Sequence, residues 1–184
     1  AAIFCSPHNP TGRAWERWEI ERAMELFKKY DVYVISDEIW SDLYLADGHH
    51  LPTQSVSEDA KMRTIAFYAP SKTFNLAGLI GSYHIIYNPY LRDRVRKQSG
   101  LCHYNSMNVL SMYALIGAYS EDGKEWVDEL KQVLSNNINY AFEQLKKYSG
   151  IAVAKPEGTY MMFIDFEKWC KDKGKSVDEL LNAG

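Results

Sequence analysis

A chain of 184 residues with 46% hydrophobic and 24% charged residues has the composition of an ordinary globular protein. It is long enough for one sizeable core, or for one domain and part of a second. A formal charge of −3 and an isoelectric point near 6.0 give no electrostatic reason to expect nucleic acid or an acidic membrane as partner. No apolar run approaches the roughly 20 residues that span a bilayer, and no basic-then-apolar leader is seen. The three cysteines, Cys5, Cys102 and Cys170, are odd in number and scattered. They suggest neither a disulfide framework nor a zinc site, and fit free thiols in a reducing cytoplasm.

In chain order, residues 1–5 form a short apolar run of strand type, followed by a loop of turn formers, Ser6-Pro7-His8-Asn9-Pro10-Thr11-Gly12. Ile20, Met24 and Phe27 recur at i, i+4 and i+7, which predicts a helix. A β-branched run over 32–35 predicts a second strand ending at Ser36-Asp37-Glu38, and 46–61 reads as a polar loop with a short helix. Residues 64–68 predict a third strand, closed by Ala69-Pro70-Ser71-Lys72, and 81–87 a fourth. Asn88-Pro89 opens a basic helix with Arg92, Arg94, Arg96 and Lys97 on a solvated face, and a further helix follows over about 106–119. Asp122-Gly123 marks a break before a long helix with Trp126, Leu130, Val133, Leu134, Ala141, Leu145 and Tyr148 on one stripe. Strands over 151–154 and 160–165 then flank a Pro156-Glu157-Gly158 turn, and a helical signal covers 176–181. The chain opens inside a strand-like run and stops at Gly184 just after a helical signal, so a piece of a longer protein is expected.

Strands alternating with helices predict an α/β layered sheet with mostly parallel strands. The different rhythm after the long helix predicts the start of a second domain. Ligands of open α/β sheets sit outside the carboxyl ends of the strands. Three predicted strands lead there into Asn9, Asp37 and Lys72, which face one crevice if the strands are parallel neighbours. An amide, a carboxylate and an amine in one crevice suit pyridoxal phosphate (PLP). That cofactor needs a lysine for its Schiff base and a carboxylate to keep its pyridine nitrogen protonated, and it gains from a neutral donor near its phenolic oxygen. Taken singly, Asn9 is a turn former, Asp37 a helix cap and Lys72 a surface lysine; their order and context point to a site.

Four motifs in order carry a family resemblance. Ser6-Pro7-His8-Asn9-Pro10-Thr11-Gly12 resembles the Asn-Pro-x-Gly loop of fold-type I PLP enzymes, and Ser36-Asp37-Glu38-Ile39 resembles their strand-end aspartate. Ser71-Lys72-Thr73-Phe74-Asn75-Leu76-Ala77-Gly78-Leu79 resembles their Schiff-base lysine segment, and Pro156-Glu157-Gly158-Thr159-Tyr160 a turn opening a strand of their C-terminal domain. The resemblance implies an aspartate aminotransferase-like α/β fold, with residues 1–120 in the large PLP domain and 121–184 forming a connecting helix and the start of a small α+β domain. It implies that Lys72 carries the cofactor and moves the Cα proton, that Asp37 pairs with the pyridinium nitrogen, that Asn9 meets the phenolic oxygen and that Ser71 meets the phosphate. It also implies an amino-acid substrate, a homodimer, and a phosphate loop, ring-stacking aromatic and carboxylate-clamping arginine outside these residues.

Two positions depart from the aminotransferase pattern. A tyrosine common three residues after the aspartate is Trp40, and a phosphate-gripping arginine common eight residues after the lysine is Ile80, which cannot supply a charge-assisted bond. With the text Asp37-Glu38-Ile39-Trp40-Ser41-Asp42-Leu43, these departures resemble the cystathionine β-lyase-type C–S lyases within the class I/II aminotransferase family. The expected reaction is β-elimination giving thiol, pyruvate and ammonia. The alternatives are transamination, which would use the same residues, and a PLP-binding regulatory module. His8, His49, His50, His84 and His103 show no metal-ligand spacing and read as turn, surface or core; Tyr83 and Tyr104 are candidates to line the crevice.

Overall fold

Three strand signals meet side by side and in register. The computed structural model describes residues 1–182. Strands β1 (Ala2–Cys5), β2 (Val34–Asp37) and β3 (Thr64–Tyr68) are parallel neighbours, and β4 (Tyr83–Ile85) adds antiparallel to β3, in the order β1-β2-β3-β4. A single rung, Cys5–Asp37–Phe67–His84, crosses the whole sheet at the carboxyl ends of the parallel strands.

Helices α1 (Arg17–Lys29) and α2 (Glu58–Arg63) connect the parallel strands and cover one face of the sheet. Ile20 and Met24 of α1, Val34 of β2 and Ala60 of α2 form the buried core, with Phe4, Trp15 and Phe27 packed around it. Each large aliphatic side chain buried there stabilises the fold by about 1.5–3 kcal/mol. Both helix starts are specified locally: the Glu19 carboxylate accepts the Glu16 amide at 2.8 Å, and Ser57 Oγ accepts the Ala60 amide at 3.0 Å. Gln54 Nε2 donates to the carbonyls of Thr64 and Ile85, at 2.9 and 3.0 Å, and so stitches β3 to β4 from beneath.

Helices α3 (Pro89–Leu101) and α4 (Val109–Ala118) follow, then the long α5 (Glu121–Leu145), a two-stranded antiparallel sheet of β5 (Ala152–Val153) and β6 (Ile164–Asp165), and the short helices α6 (Glu167–Asp172) and α7 (Val177–Asn182). Asn88 caps α3, whose Arg92, Arg94, Arg96 and Lys97 are all exposed. No helix among the described residues is long and apolar enough to cross a membrane.

Four expectations are corrected. The second strand starts at Val34, because the Val32 amide is spent on the Phe27 carbonyl at the end of α1 (2.8 Å), and it runs on to include Asp37. Asp122-Gly123 does not separate the two helices but lies in the first turn of α5. The break is at Tyr119-Ser120, where Ser120 Oγ accepts the Gly123 amide at 3.2 Å, and a side chain at Gly123 would run into the Ala118 carbonyl. The inner face of α5 is centred on buried Val127 and Ile138, whereas Trp126 and Val133 are exposed and Tyr148 lies beyond the helix end. Only Ile164–Asp165 of the run 160–165 pairs as a strand, because the turn before it docks elsewhere.

That turn joins the two ends of the chain. The amides of Glu157 and Gly158 donate to the Gly12 carbonyl at 2.8 and 2.9 Å, the Thr159 amide to Leu43 at 3.0 Å, and Arg13 Nη1 reaches Glu157 Oε2 at 2.8 Å. Gly12 has φ +70°, and any Cβ on it would overlap Pro156. Gly12→Ala is therefore expected to lose about 2–3 kcal/mol of stability, read as a lowered urea midpoint. An unchanged midpoint would show that the turn is not docked this way.

Candidate active site

Successive strand residues point to opposite faces, and β2 uses this to send two adjacent carboxylates to different fates. Ser36 and Glu38 lie on the face covered by α1 and α2 and are fully buried. Asp37 lies on the other face, half-buried, between Cys5 and Phe67 on its rung.

Glu38 is held by both carboxylate oxygens. Oε1 accepts from Ser36 Oγ at 2.8 Å and the Thr53 amide at 3.0 Å, while Oε2 is bonded to His50 Nε2 at 2.7 Å and accepts from the Tyr68 hydroxyl at 2.8 Å. Burial alone would push Glu38 up, but the hydrogen bonds from His50, Ser36 and Tyr68, with the His50 charge, hold it below the ordinary range. Burial, then the Glu38 charge, pushes the Tyr68 hydroxyl up, so it stays a proton donor. Sequence reasoning assigned Glu38, His50 and Tyr68 no role. No local pattern marks them, since their partners lie on separate segments.

Asp37 is engaged lightly by comparison: Oδ1 accepts the Ile39 amide at 3.2 Å. Beside it the Cys5 thiol is pushed up by burial, drawn down by the Asn9 backbone amide and raised again by the Asp37 charge. Asn9 itself is exposed on the loop leaving β1. The loop after β3 turns at once, with the Phe74 amide bonded to the Pro70 carbonyl at 2.9 Å and the Leu76 amide to the Ser71 carbonyl at 3.1 Å. Ser71 is half-buried there and Lys72 exposed, its Nζ 5.8 Å from the centre of the Trp40 ring. The structure thus brings Asn9, Asp37 and Lys72 to one edge of three parallel strands.

The polar groups at that edge differ from those beneath it. Among the described residues, the Asn9 side-chain amide, Asp37 Oδ2 and the Lys72 amine take no hydrogen-bond or ion-pair partner within the protein. The neighbouring Glu38, Arg13 and Asp42 are all tied down. A donor amide, a carboxylate oxygen and an amine left uncommitted at the carboxyl ends of neighbouring strands fit a ligand that brings a pyridine nitrogen, a phenolic oxygen and an aldehyde. Ile80, at the position of the family's phosphate arginine, is 81% exposed and offers no polar group. Of the two crevice candidates, Tyr83 is half-buried and stacks on Tyr68 (centroids 5.4 Å), while Tyr104 is exposed and away from any packing. A cavity of about 380 Å³ lies behind the lysine loop, with Asp42, Phe74, Tyr119 and Lys124 in its wall.

A family model described as "Aminotransferase class I and II" matches residues 2–183. The chain is 34% identical over 183 residues to cystathionine beta-lyase PatB of Bacillus subtilis (strain 168), an alignment covering 99% of this chain and 47% of that protein. Aspartate aminotransferase of Bacillus sp. (strain YM-2) is 27% identical over 186 residues, covering 100% of this chain and 46% of that protein. Among solved structures, cystalysin from Treponema denticola, which contains a pyridoxal 5'-phosphate cofactor, matches with a TM-score of 0.87 at 33% identity, covering 99% of this chain and 45% of that one. The chain spans about half the length of the curated relatives it matches. Its fold is the aspartate aminotransferase-like α/β arrangement that the four motifs led us to expect.

The Glu38 network gives a pH signature. A carboxylate with a depressed folded value contributes stability that is fully present above its ordinary pKa of 4.5 and is lost as pH falls through the folded value. Glu38→Gln is therefore expected to flatten that acid limb of stability, and Glu38→Ala to cost about 3–5 kcal/mol at neutral pH. Denaturant titrations from pH 7 down to about pH 2, through and below the ordinary carboxylate value, measure both; an acid limb unchanged in Glu38→Gln would refute the assignment.

Proposed function

Because the chain belongs to the aminotransferase class I and II family, we propose that it forms part of a PLP-dependent enzyme that acts on amino acids by C–S β-elimination. The observation that carries this reading is the uncommitted set of Asn9, Asp37 and Lys72 at the carboxyl ends of three parallel strands. Identity to the cystathionine beta-lyases, 33–34%, exceeds that to the aspartate aminotransferases, 26–32%, and supports elimination over transamination. So do Trp40 and Ile80 where aminotransferases commonly have tyrosine and arginine.

When bound, the cofactor supplies an electron sink for the charge left when the Cα proton departs. Asp37, fixed on its rung, would keep a proton on the pyridine nitrogen; its Oδ1 is occupied by the Ile39 amide and Oδ2 is left uncommitted. Asn9 donates its side-chain amide to the phenolic oxygen, and the Ser71 hydroxyl is available to the phosphate. Lys72 would hold the cofactor through its amine, and that amine, once free and neutral, would take the substrate's Cα proton. Loss of that proton and departure of the sulfur with the Cβ–S bonding pair give thiol and aminoacrylate, which hydrolyses to pyruvate and ammonia. In this reading residues 1–120 belong to the cofactor domain and 121–184 lead into a smaller one, and a homodimer completes the site.

The test uses the full-length protein with L-cystathionine and no keto acid. Pyruvate and free thiol are expected, falling by about a thousandfold or more in Lys72→Ala. No release, but turnover once 2-oxoglutarate and an amino donor are present, would make the enzyme an aminotransferase. Borohydride reduction with PLP is expected to mark Lys72, and label on other lysines alone would sink the site assignment.

A further inference from the structure

Two segments far apart in sequence meet around Lys72. Trp40 follows Asp37 by three residues and is 4% exposed. Tyr160 holds its ring edge-on, with centroids 4.7 Å apart and planes at 79°. The Lys72 Nζ stands 5.8 Å from the centre of that ring, within the range of a cation–π contact. Two residues beyond Trp40, Asp42 Oδ2 accepts from the Thr73 hydroxyl at 3.2 Å and from the Tyr119 hydroxyl at 3.1 Å. Thr73 directly follows Lys72 and is 1% exposed, so no water can stand in for Asp42 if that bond is lost.

We propose that the segment from Trp40 to Asp42 positions Lys72. Asp42 fixes the lysine's backbone through Thr73, and the Trp40 indole is the resting place of the amine whenever it is not bonded to the cofactor. The proposal rests on the reading of Lys72 as the cofactor lysine and deepens it. A lysine released from the cofactor samples many rotamers, yet its next task requires the amine within reach of one Cα proton. A carboxylate there would hold the ammonium by a charge-assisted bond that must break before the amine can act. An aromatic face attracts the cation without taking up a donor hydrogen, so the exposed ammonium can pass its proton to water and the neutral amine can turn to the Cα proton. This gives Trp40 a different task from the tyrosine it replaces: it serves the lysine rather than the phenolic oxygen.

The test again uses the full-length protein. In its apo form, brief acetic anhydride treatment and mass spectrometry give the acetylation of Lys72 relative to exposed Lys155. Trp40→Leu is expected to raise that ratio about threefold as the amine loses the indole, and Trp40→Phe, which keeps a ring face, to change it less. In the holoenzyme, Thr73→Val is expected to lower kcat about tenfold with KM within about twofold, and to raise the Cα-deuterium isotope effect as proton removal slows. Thr73→Ser, which keeps the hydroxyl, recovers most of kcat. An unchanged acetylation ratio in Trp40→Leu overturns the resting-place role. A Thr73→Val enzyme with unchanged kcat, or a loss that Thr73→Ser does not recover and that leaves the isotope effect unmoved, overturns the backbone role. The acetylation ratio reports the Lys72–Trp40 contact whether or not borohydride marks Lys72, so failure of the two readings is told apart.

Discussion

A carboxylate without access to water fixes the end of the central strand. Stripping Glu38 of solvent is costly, and the cost is met because both its oxygens carry two short hydrogen bonds each. Those bonds come from β2 itself, from the loop carrying His50 and Thr53, and from Tyr68 at the end of β3. The network therefore binds the mouths of two parallel strands to the loop beneath them. Removing any one partner leaves a buried group unsatisfied, so these segments have little freedom to shift separately.

The alternation of a strand does the rest. With Glu38 anchored on the covered face, Asp37 is obliged to present itself on the open one, beside Cys5 and Phe67 and next to the loops that carry Asn9 and Lys72. The rigid, fully bonded layer lies beneath and the uncommitted groups lie above. That division suits a binding site, where polar groups must be held in place yet keep their bonding capacity for a ligand.

The turn at Pro156-Glu157-Gly158 ties the later part of the chain to this edge. Its amides close on the Gly12 carbonyl, its carboxylate on Arg13, and Tyr160 braces Trp40. A motif that reads as the opening of a distant strand is in practice a clamp on the Asn9 loop and on the aromatic wall behind Lys72. Trp40, one of the two departures from the common aminotransferase pattern, thus sits where the two parts of the chain meet.

Much of this was legible in the residues. Short β-branched and apolar runs specify the parallel strands, the spacing of Ile20, Met24 and Phe27 specifies α1, and the loops bearing Asn9, Asp37 and Lys72 are contiguous motifs that survive without a structure. Strand limits and helix faces were less legible, because they depend on where an amide such as that of Val32 finds its partner and on which side of α5 meets Val127 and Ile138 rather than Trp126. By itself the sequence determined the order of the elements and the chemical types gathered at one sheet edge, since periodicity and motif are local properties. Only the tertiary structure decided that Glu38, and not its neighbour, is the buried anchor, and that Trp40 and Asp42 reach Lys72 and Thr73 some 30 residues on. Those contacts join residues distant along the chain, and no local pattern encodes them until the strands are paired.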